Sequence, residues 1–383
     1  MFKAIVGHST DIDSEDAISD VLTQCHNQLA DQLPQAGLLL AAIDFDYGLI
    51  LNRIQATFPG INLIGCSTDG EISSIQGFQE DSITLMLFCS DTVTMQVGVG
   101  RNLSNDPQAA AAQAIESLDL NNQDDIKLCI VLPDGLEDGT EVALRHLQEQ
   151  LPTATPIVGG LAGDQYRFEH THQFYQGEVL HNSLPILVMG GELKVSHGVA
   201  SGWQPLSRSA IVTKSEKEIV YEIDHQPATQ FYRDYIGDQP ISGEYPLAVF
   251  EAGSKDFYLR ASNQWDFQAN SIHFMGEVPE QATVQITYAT NDQIITATKT
   301  SIEQALAHYP GNRPAAAFLI SCAARRWILG ARAQEEYALS QQFLDPAIPV
   351  IGFYAYGEIA PLKAQSQSCY HQETLVTLLL GEE

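Results

Sequence analysis

Basic residues are scarce in this chain. Nineteen Lys and Arg stand against 48 Asp and Glu, a formal charge of -29. Such a surface repels phosphate backbones and anionic lipid heads, so no nucleic-acid partner is expected. A basic protein or a neutral small molecule suits it better. The acids are spread along the chain, and most are read as a solvated surface. Long apolar runs are also missing. GLLLAAIDF is broken by Asp44, and LPILVMGG is too short to span a bilayer, so no direct membrane insertion is expected. The opening MFKAIVGHSTDIDSED has one Lys, a very short apolar run and then acids. No secretory signal is read there, and a cytoplasmic location is expected. The six cysteines (Cys25, Cys66, Cys89, Cys129, Cys322 and Cys369) form no C-x-x-C pair. They read as reduced, mostly buried thiols, not as a paired-cysteine zinc site. Catalytic signatures are absent too. There is no G-x-S-x-G, no H-E-x-x-H and no kinase or NTPase motif. No enzymatic activity is expected.

What is present is a repeat. IGCSTDGEI (64–72) and IGFYAYGEI (351–359) share Ile, Gly, Gly, Glu and Ile at the same offsets. Each sits in a larger pattern of strand, helix, Pro stop, strand and glycine turn. The first copy runs through GLLLAAIDF, YGLILNRIQATF and INLIGCSTDGEI. The second runs through IKLCIVL, TEVALRHLQEQL and PIVGGLAGD. The third runs through AAAFLISC, RRWILGARAQEEYALSQQFL and IPVIGFYAYGEI. A helix joining two apolar strands favours parallel pairing with a right-handed crossover. Between the second and third copies the texture changes to alternating strands with Gly and Pro turns. With 383 residues and 44% hydrophobic content, two globular domains are expected. The expected fold class is α/β: two domains with mixed sheets built from repeated strand-helix-strand-turn units. The boundary falls near VYEIDHQPA, giving domains 1–222 and 223–383.

The glycine turns do not read as phosphate sites. No G-K-[ST] follows, and an acid, Glu71 or Glu358, stands where an anion would go. Two readings of Gly65 and Gly70 stay open: turn formers, or the wall of a pocket at the strand ends. Glu71, Asp164 and Glu358 are assigned to function or to turn capping. Cys322 and Arg325 stand where the first strand of the third copy ends, a place where α/β sheets bind ligands. Arg325 is a candidate clamp for a ligand carboxylate, or the partner of a nearby acid such as Glu358. Tyr354 and Tyr356 alternate, which places both on one side of a strand as pocket wall or core. His170 and His172 are two apart on an expected strand and share a face. They are candidate metal ligands, or a pair on a polar strand face. His197 reads as a core histidine.

At these residues the chain resembles the FIST proteins, sensory proteins with an N-terminal and a C-terminal FIST domain. The N-terminal pattern is similar to IGCSTDGEI, PIVGGLAGD and SHGVASGWQPL. The C-terminal pattern is similar to PLAVF, FLISCAARRWILG, PVIGFYAYGEIAP and HQETLVTLL. The resemblance covers nearly the whole chain in order. It implies a cytosolic protein that binds a small ligand and signals to a partner. One branch of the family binds haem b, senses nitric oxide and regulates a partner histidine kinase. The resemblance therefore implies haem b as a cofactor and a histidine kinase as a partner. An amino-acid-like or other small polar metabolite, or an unrecognised enzyme site, is the alternative. The family often reads Thr-Tyr-x-Phe where this chain has HTHQFY. His172, ahead of His170, is thus the expected haem-iron ligand, with Phe168, Phe174 and Tyr175 as aromatic wall. His371 lies in the C-terminal motif and is expected at the ligand pocket with Gly65, Gly70, Glu71, Asp164, Cys322, Arg325, Tyr354, Tyr356 and Glu358.

Overall fold

In the computed structural model, residues 2–30, 32–118, 125–153, 155–237, 243–250, 253 and 255–382 are described. The repeat is threefold, and each unit begins one strand earlier than the sequence pattern suggests. The first unit starts with strand Lys3–Ser9 and helix Ser14–Leu29, whose first N–H groups are capped by the Asp13 carboxylate. Strand Ala36–Ala41, helix Tyr47–Thr57 and strand Asn62–Ser67 follow. A hairpin (Glu71–Ser73 and Gly77–Gln79) and a closing strand (Ile83–Cys89) complete the unit. The second unit repeats this order from Val93–Arg101 to its closing strand Ser183–Gly191, with hairpin Gln173–Tyr175 and Glu178–Leu180. The third begins at Lys194–Ala200 and ends at Leu375–Gly381, with hairpin Glu358–Pro361 and Ser368–His371.

In each unit the two strands flanking the second helical segment pair in parallel, as in Ala36–Ala41 with Asn62–Ser67. The opening and closing strands add antiparallel neighbours. The hairpins do not stay at home. The second unit's hairpin extends the first unit's sheet, Phe174 facing Gly65. The third unit's hairpin extends the second unit's sheet, Ile359 facing Gly159. The first unit's hairpin extends the third unit's sheet, Ile72 facing Gly352. The three sheets are locked in a ring. Their inner faces share one apolar core that includes Leu38, Ile64, Ile130, Leu187, Phe318 and Phe353. Helices cover each outer face, so the strands are buried on both sides and read as continuous apolar runs.

The repeated glycine is explained by this packing. A Cβ at Gly65 would stand 2.1 Å from the Leu39 carbonyl oxygen, at Gly159 1.8 Å from that of Val131, and at Gly352 2.3 Å from that of Leu319. No side chain fits between the paired strands at these three positions.

The change of texture after the second copy is an inserted layer. Strands from Gln204–Pro205 to Thr283–Tyr288 form a nine-stranded sheet with helix Ala228–Ile236 and a core of its own. This layer separates the third unit's opening strand from its helix Asn291–His308. The mixed α/β class built from repeated units is thus borne out. The expected division between 222 and 223 falls inside strand Ile219–Ile223, and Lys194–Ala200 from before it pairs with Leu375–Gly381 from after it. The expected single helix after Cys322 is two helices, Ala323–Leu329 and Ala333–Phe343. Gly330 at φ 54 breaks the run between them.

Candidate functional site

The ends of the three parallel strands meet on the axis of the ring, and their turns bond to one another. Asp69 N–H donates to Tyr354 O at 3.0 Å, Gly163 N–H to Ser67 O at 2.9 Å, and Leu161 N–H to Gly357 O at 2.9 Å. The residues expected at a pocket are therefore brought together here, but most are already engaged. Glu71 is buried and accepts hydrogen bonds from the hydroxyls of Thr68 and Ser82. Glu358 is buried and accepts from Thr374 N–H at 3.1 Å and Thr374 Oγ1 at 2.8 Å. Burial pushes both carboxyls up to about 8. Asp164 is not the third member of this set. Its carboxylate gathers the backbone N–H groups of Phe168, Glu169 and His170, and the Tyr356 hydroxyl. Gly70 takes φ 120 at its turn, a conformation open to glycine.

Arg325 is buried and is not poised to clamp a carboxylate. Its guanidinium is paired with Glu336 and donates to Ser201 O at 2.7 Å and Ile294 O at 2.9 Å. The acid it meets is thus Glu336, from its own helical segment, not Glu358. Tyr354 donates to Glu336 at 2.7 Å, while Tyr356 turns the other way to Asp164. The two tyrosines do not share a side because the strand ends at Ala355, before the alternation reaches Tyr356. The Cys322 thiol is buried, and burial pushes its pKa well up, so it is a thiol and not a thiolate.

His170 and His172 lie before strand Gln173–Tyr175, not on it. His170 is exposed. The His172 ring packs 5.0 Å from Tyr47 and 4.5 Å from His181, and its Nδ1 is buried without a hydrogen-bond partner. The adjoining cavity of about 340 Å³ is lined by Asp134, Glu137, Glu169, His170 and His181. Haem needs an axial side chain in an apolar pocket, and these walls are acidic. Of the aromatic residues expected beside it, Phe168 stacks on Tyr356, and Phe174 packs at 4.8 Å against the Tyr47 ring that His172 also meets, in the first unit's outer core. The residues around His170 and His172 do not fit haem. Among the described residues, no three His, Cys, Asp or Glu side chains converge closely enough to hold a metal ion.

A cleft of about 960 Å³ opens between the inserted layer and the third unit. His197, Trp203, Tyr258, Thr296, Thr300 and His371 are among its walls. Trp203 is fixed by its indole N–H, which donates to Glu244 O at 3.1 Å. His371 Nε2 is 2.8 Å from Ala360 O, and burial lowers the imidazole to about 4, so it is neutral. Asp256 of the inserted layer is paired with Lys363 of the third unit, and both stand in the cleft wall. Of the residues expected at a pocket, His371 alone lines this cleft. Sequence reasoning missed it because its walls come from five separate segments.

Two domain patterns run along the chain, and they meet within the inserted layer. Residues 35–226 match the FIST N domain and residues 228–361 the FIST C domain. The chain belongs to the FIST family. FIST domains are sensor domains of signal transduction. The FIST chain is similar to an uncharacterized protein of Methanocaldococcus jannaschii, 28% identical over 236 residues, 59% of this chain and 43% of that protein. It thus spans less than half of that relative's length. It is also similar to an uncharacterized protein of Mycobacterium tuberculosis, 25% identical over 379 residues, 93% of this chain and 94% of that one. Among solved structures it is similar to a cyanuric acid hydrolase, 8% identical, with TM-score 0.38 and 100% of both chains covered. The cyanuric acid hydrolase of A. caulinodans is 11% identical, with TM-score 0.29, covering 52% of this chain and 72% of that one. The expectation of no enzymatic activity is corrected on this point, since those structures are enzymes. The likeness is too distant to carry an activity to this chain. Among the described residues, no helix is long and apolar enough to cross a membrane.

Proposed function

We propose that this FIST protein is a cytoplasmic sensor that binds a small polar metabolite in the cleft between its inserted layer and its third unit. One observation carries the reading: the cleft of about 960 Å³ is lined both by the inserted layer, through Asp256, Phe257 and Tyr258, and by the third unit, through Thr296, Thr300 and His371. A ligand there touches both, so it favours one arrangement of the layers over another, which is what a sensor needs. Most charged groups of the walls are balanced, and the walls also include Lys255. Asp256 and Asp292 are paired with Lys363 and Arg332, and burial lowers the pKa of both His197 and His371. Thr296, Thr300 and the ring of Trp203 are left for recognition. An amino-acid-like zwitterion or a neutral polar metabolite suits this lining. The signal passes to a partner protein, and the acidic surface favours a partner with a basic face. A histidine kinase fits that role. Haem is not routed through His170 or His172, whose surroundings do not suit it.

The test is thermal stabilisation by a panel of amino acids and neutral polar metabolites, run on the native chain and on Thr300→Trp. Thr300 is exposed on helix Asn291–His308, so the indole fills the cleft without entering the core. A stabilising compound should lose its effect in the variant. Equal stabilisation of both proteins would place the ligand elsewhere and overturn the reading.

A further inference from the structure

A tryptophan ring is highly buried in most folds, because it carries a large apolar area. Trp327 is 72% exposed, and Phe168 is 53% exposed. The two come from different units and meet through a third ring. Trp327 sits on helix Ala323–Leu329 of the third unit. Phe168 sits on the loop that follows Asp164 in the second unit. The Tyr166 ring lies between them, 5.2 Å from Trp327 and 5.6 Å from Phe168. Tyr356 backs the group and stacks on Phe168 at 5.3 Å. The four rings form one aromatic ledge beside the meeting strand ends. A contiguous exposed apolar patch of this kind marks an interaction surface, whereas single exposed apolar residues do not.

The rim of the ledge is acidic. Asp44 is held there by Arg167, which stands between Tyr166 and Phe168 in the chain. Glu80 is held by Arg326, next to Trp327, at 2.9 Å. Asp81 accepts from Gln165 at 2.8 Å, and Glu169 follows Phe168. All four acids are exposed, and the two arginines are committed to acids already. This rim selects what covers the rings. A second copy of the chain would set the same acids against one another, and like charges across an interface are costly. Nucleic acid and anionic lipid are repelled for the same reason. A protein face with Lys or Arg around apolar side chains is complementary. We infer that Tyr166, Phe168 and Trp327 form the docking face for a partner protein that meets them with a basic amphipathic segment, its aliphatic side chains over the rings and its Lys or Arg over the acidic rim.

The ledge is fixed from below. The Asp164 carboxylate accepts from the Phe168 N–H at 3.1 Å and from the Tyr356 hydroxyl, and the Tyr166 N–H donates to Tyr356 Oη at 2.7 Å. Arg326 bonds to Asp69 Oδ2 at 2.8 Å and so ties the helix of Trp327 to the first unit. Rings held in this way lose little freedom on binding, and tryptophan and tyrosine in fixed positions carry much of the energy of protein interfaces. The ledge is also joined to the cleft. Arg325, two residues before Trp327, donates to Ser201 O at 2.7 Å, and Ser201 lines the cleft. Coupling of docking to a cleft ligand rests on the cleft reading, whereas the docking face stands without it.

The chain carries its own reporter. Its other two tryptophans, Trp203 and Trp265, are buried, so Trp327 dominates the emission that acrylamide quenches. The probe is a helical peptide of leucine and lysine, free of tryptophan, with its leucines on one face. It is titrated into the full chain beside a peptide of the same composition with the leucines scattered, and beside a leucine–glutamate helix. Saturable binding of the first is expected, with a blue shift of the Trp327 emission and loss of quenching. The scattered peptide should bind roughly tenfold more weakly or worse, and the glutamate helix not at all. Phe168→Ser, followed by fluorescence, and Trp327→Ser, followed by calorimetry, should each weaken binding roughly tenfold or more. Both side chains are exposed, so the melting temperature should not fall. Thr300→Trp should bind the peptide as the native chain does, which separates this result from the fate of the cleft. No binding of the leucine–lysine helix, equal binding of its scattered form, or unchanged affinity in either ledge variant overturns the assignment. Dimerisation of the native chain that Trp327→Ser abolishes overturns it too, since a second copy then covers the ledge.

Discussion

Glu71 and Gln173 occupy the same position in successive units. Each opens an exchanged hairpin, and each accepts a hydrogen bond from the serine at the start of its own closing strand, Ser82 for Glu71 and Ser183, at 3.0 Å, for Gln173. Glu358 repeats the arrangement with Thr374. One unit makes the contact with an amide, so it does not require a charge. The shared role is to tie the exchanged hairpin to the strand that follows it.

A pH dependence follows from the two acidic members. Both carboxyls are raised by burial from 4.5 to about 8 in the folded chain. Between these values the folded chain holds protons that the unfolded chain has released. Their contribution is therefore fully present below about 4.5 and is lost as pH rises towards about 8. Urea midpoints should fall between pH 5 and pH 9. In Glu71→Gln/Glu358→Gln the fall should be shallower, because the amides copy the Gln173 contact and do not titrate. An equally steep fall in the double variant would assign the pH dependence to other groups.

Arg325 gives a different prediction. Its partner Glu336 also accepts from Tyr354 and Thr298, so the pair is the hub of a buried network. Removing one member leaves the other charge buried and alone, which costs about 3–5 kcal/mol. Arg325→Met should lower stability by that amount, and Arg325→Met/Glu336→Leu should recover much of it. Ligand affinity measured on the still-folded fraction should stay within about twofold. A large affinity loss in a fully stable Arg325→Met protein would return this residue to the ligand site.

These residues show where the chain could be read in advance. The strands, the helices and the repeat were legible because apolar runs and Pro stops are local. The recurring glycine was legible as a pattern but not as a cause, since the Leu39 and Val131 carbonyls that exclude a side chain belong to the neighbouring strand. Gln173 was invisible as the partner of Glu71. It is an amide, and a longer loop separates it from Gly159 than separates Glu71 from Gly65. Asp164 took its place in the sequence reading because it follows the glycine turn directly. The hairpin exchange and the cleft are relations between distant segments, and no local period encodes them.

The last prediction concerns Lys363 and Asp256. Lys363 follows strand Glu358–Pro361 of the third unit, and Asp256 precedes strand Phe257–Arg260 of the inserted layer. Their ion pair joins the two walls of the cleft. The Lys363 side chain is 65% exposed, so the pair adds little to stability, about 0–1 kcal/mol. Its effect should be on the cleft and not on the fold. Lys363→Ala should leave the melting temperature within about 1–2 °C. Amide exchange across residues 255–259 should become faster in the ligand-free protein, since the inserted layer loses one tie to the third unit. A cleft ligand should then bind and leave faster, with most of the change in the dissociation rate. Added salt should reproduce part of the effect in the native chain and less in the variant, because an exposed pair is screened. If exchange at 255–259 does not change in Lys363→Ala, the two layers are held by contacts such as Arg260 with the Tyr370 carbonyl, and the ion pair does not govern opening.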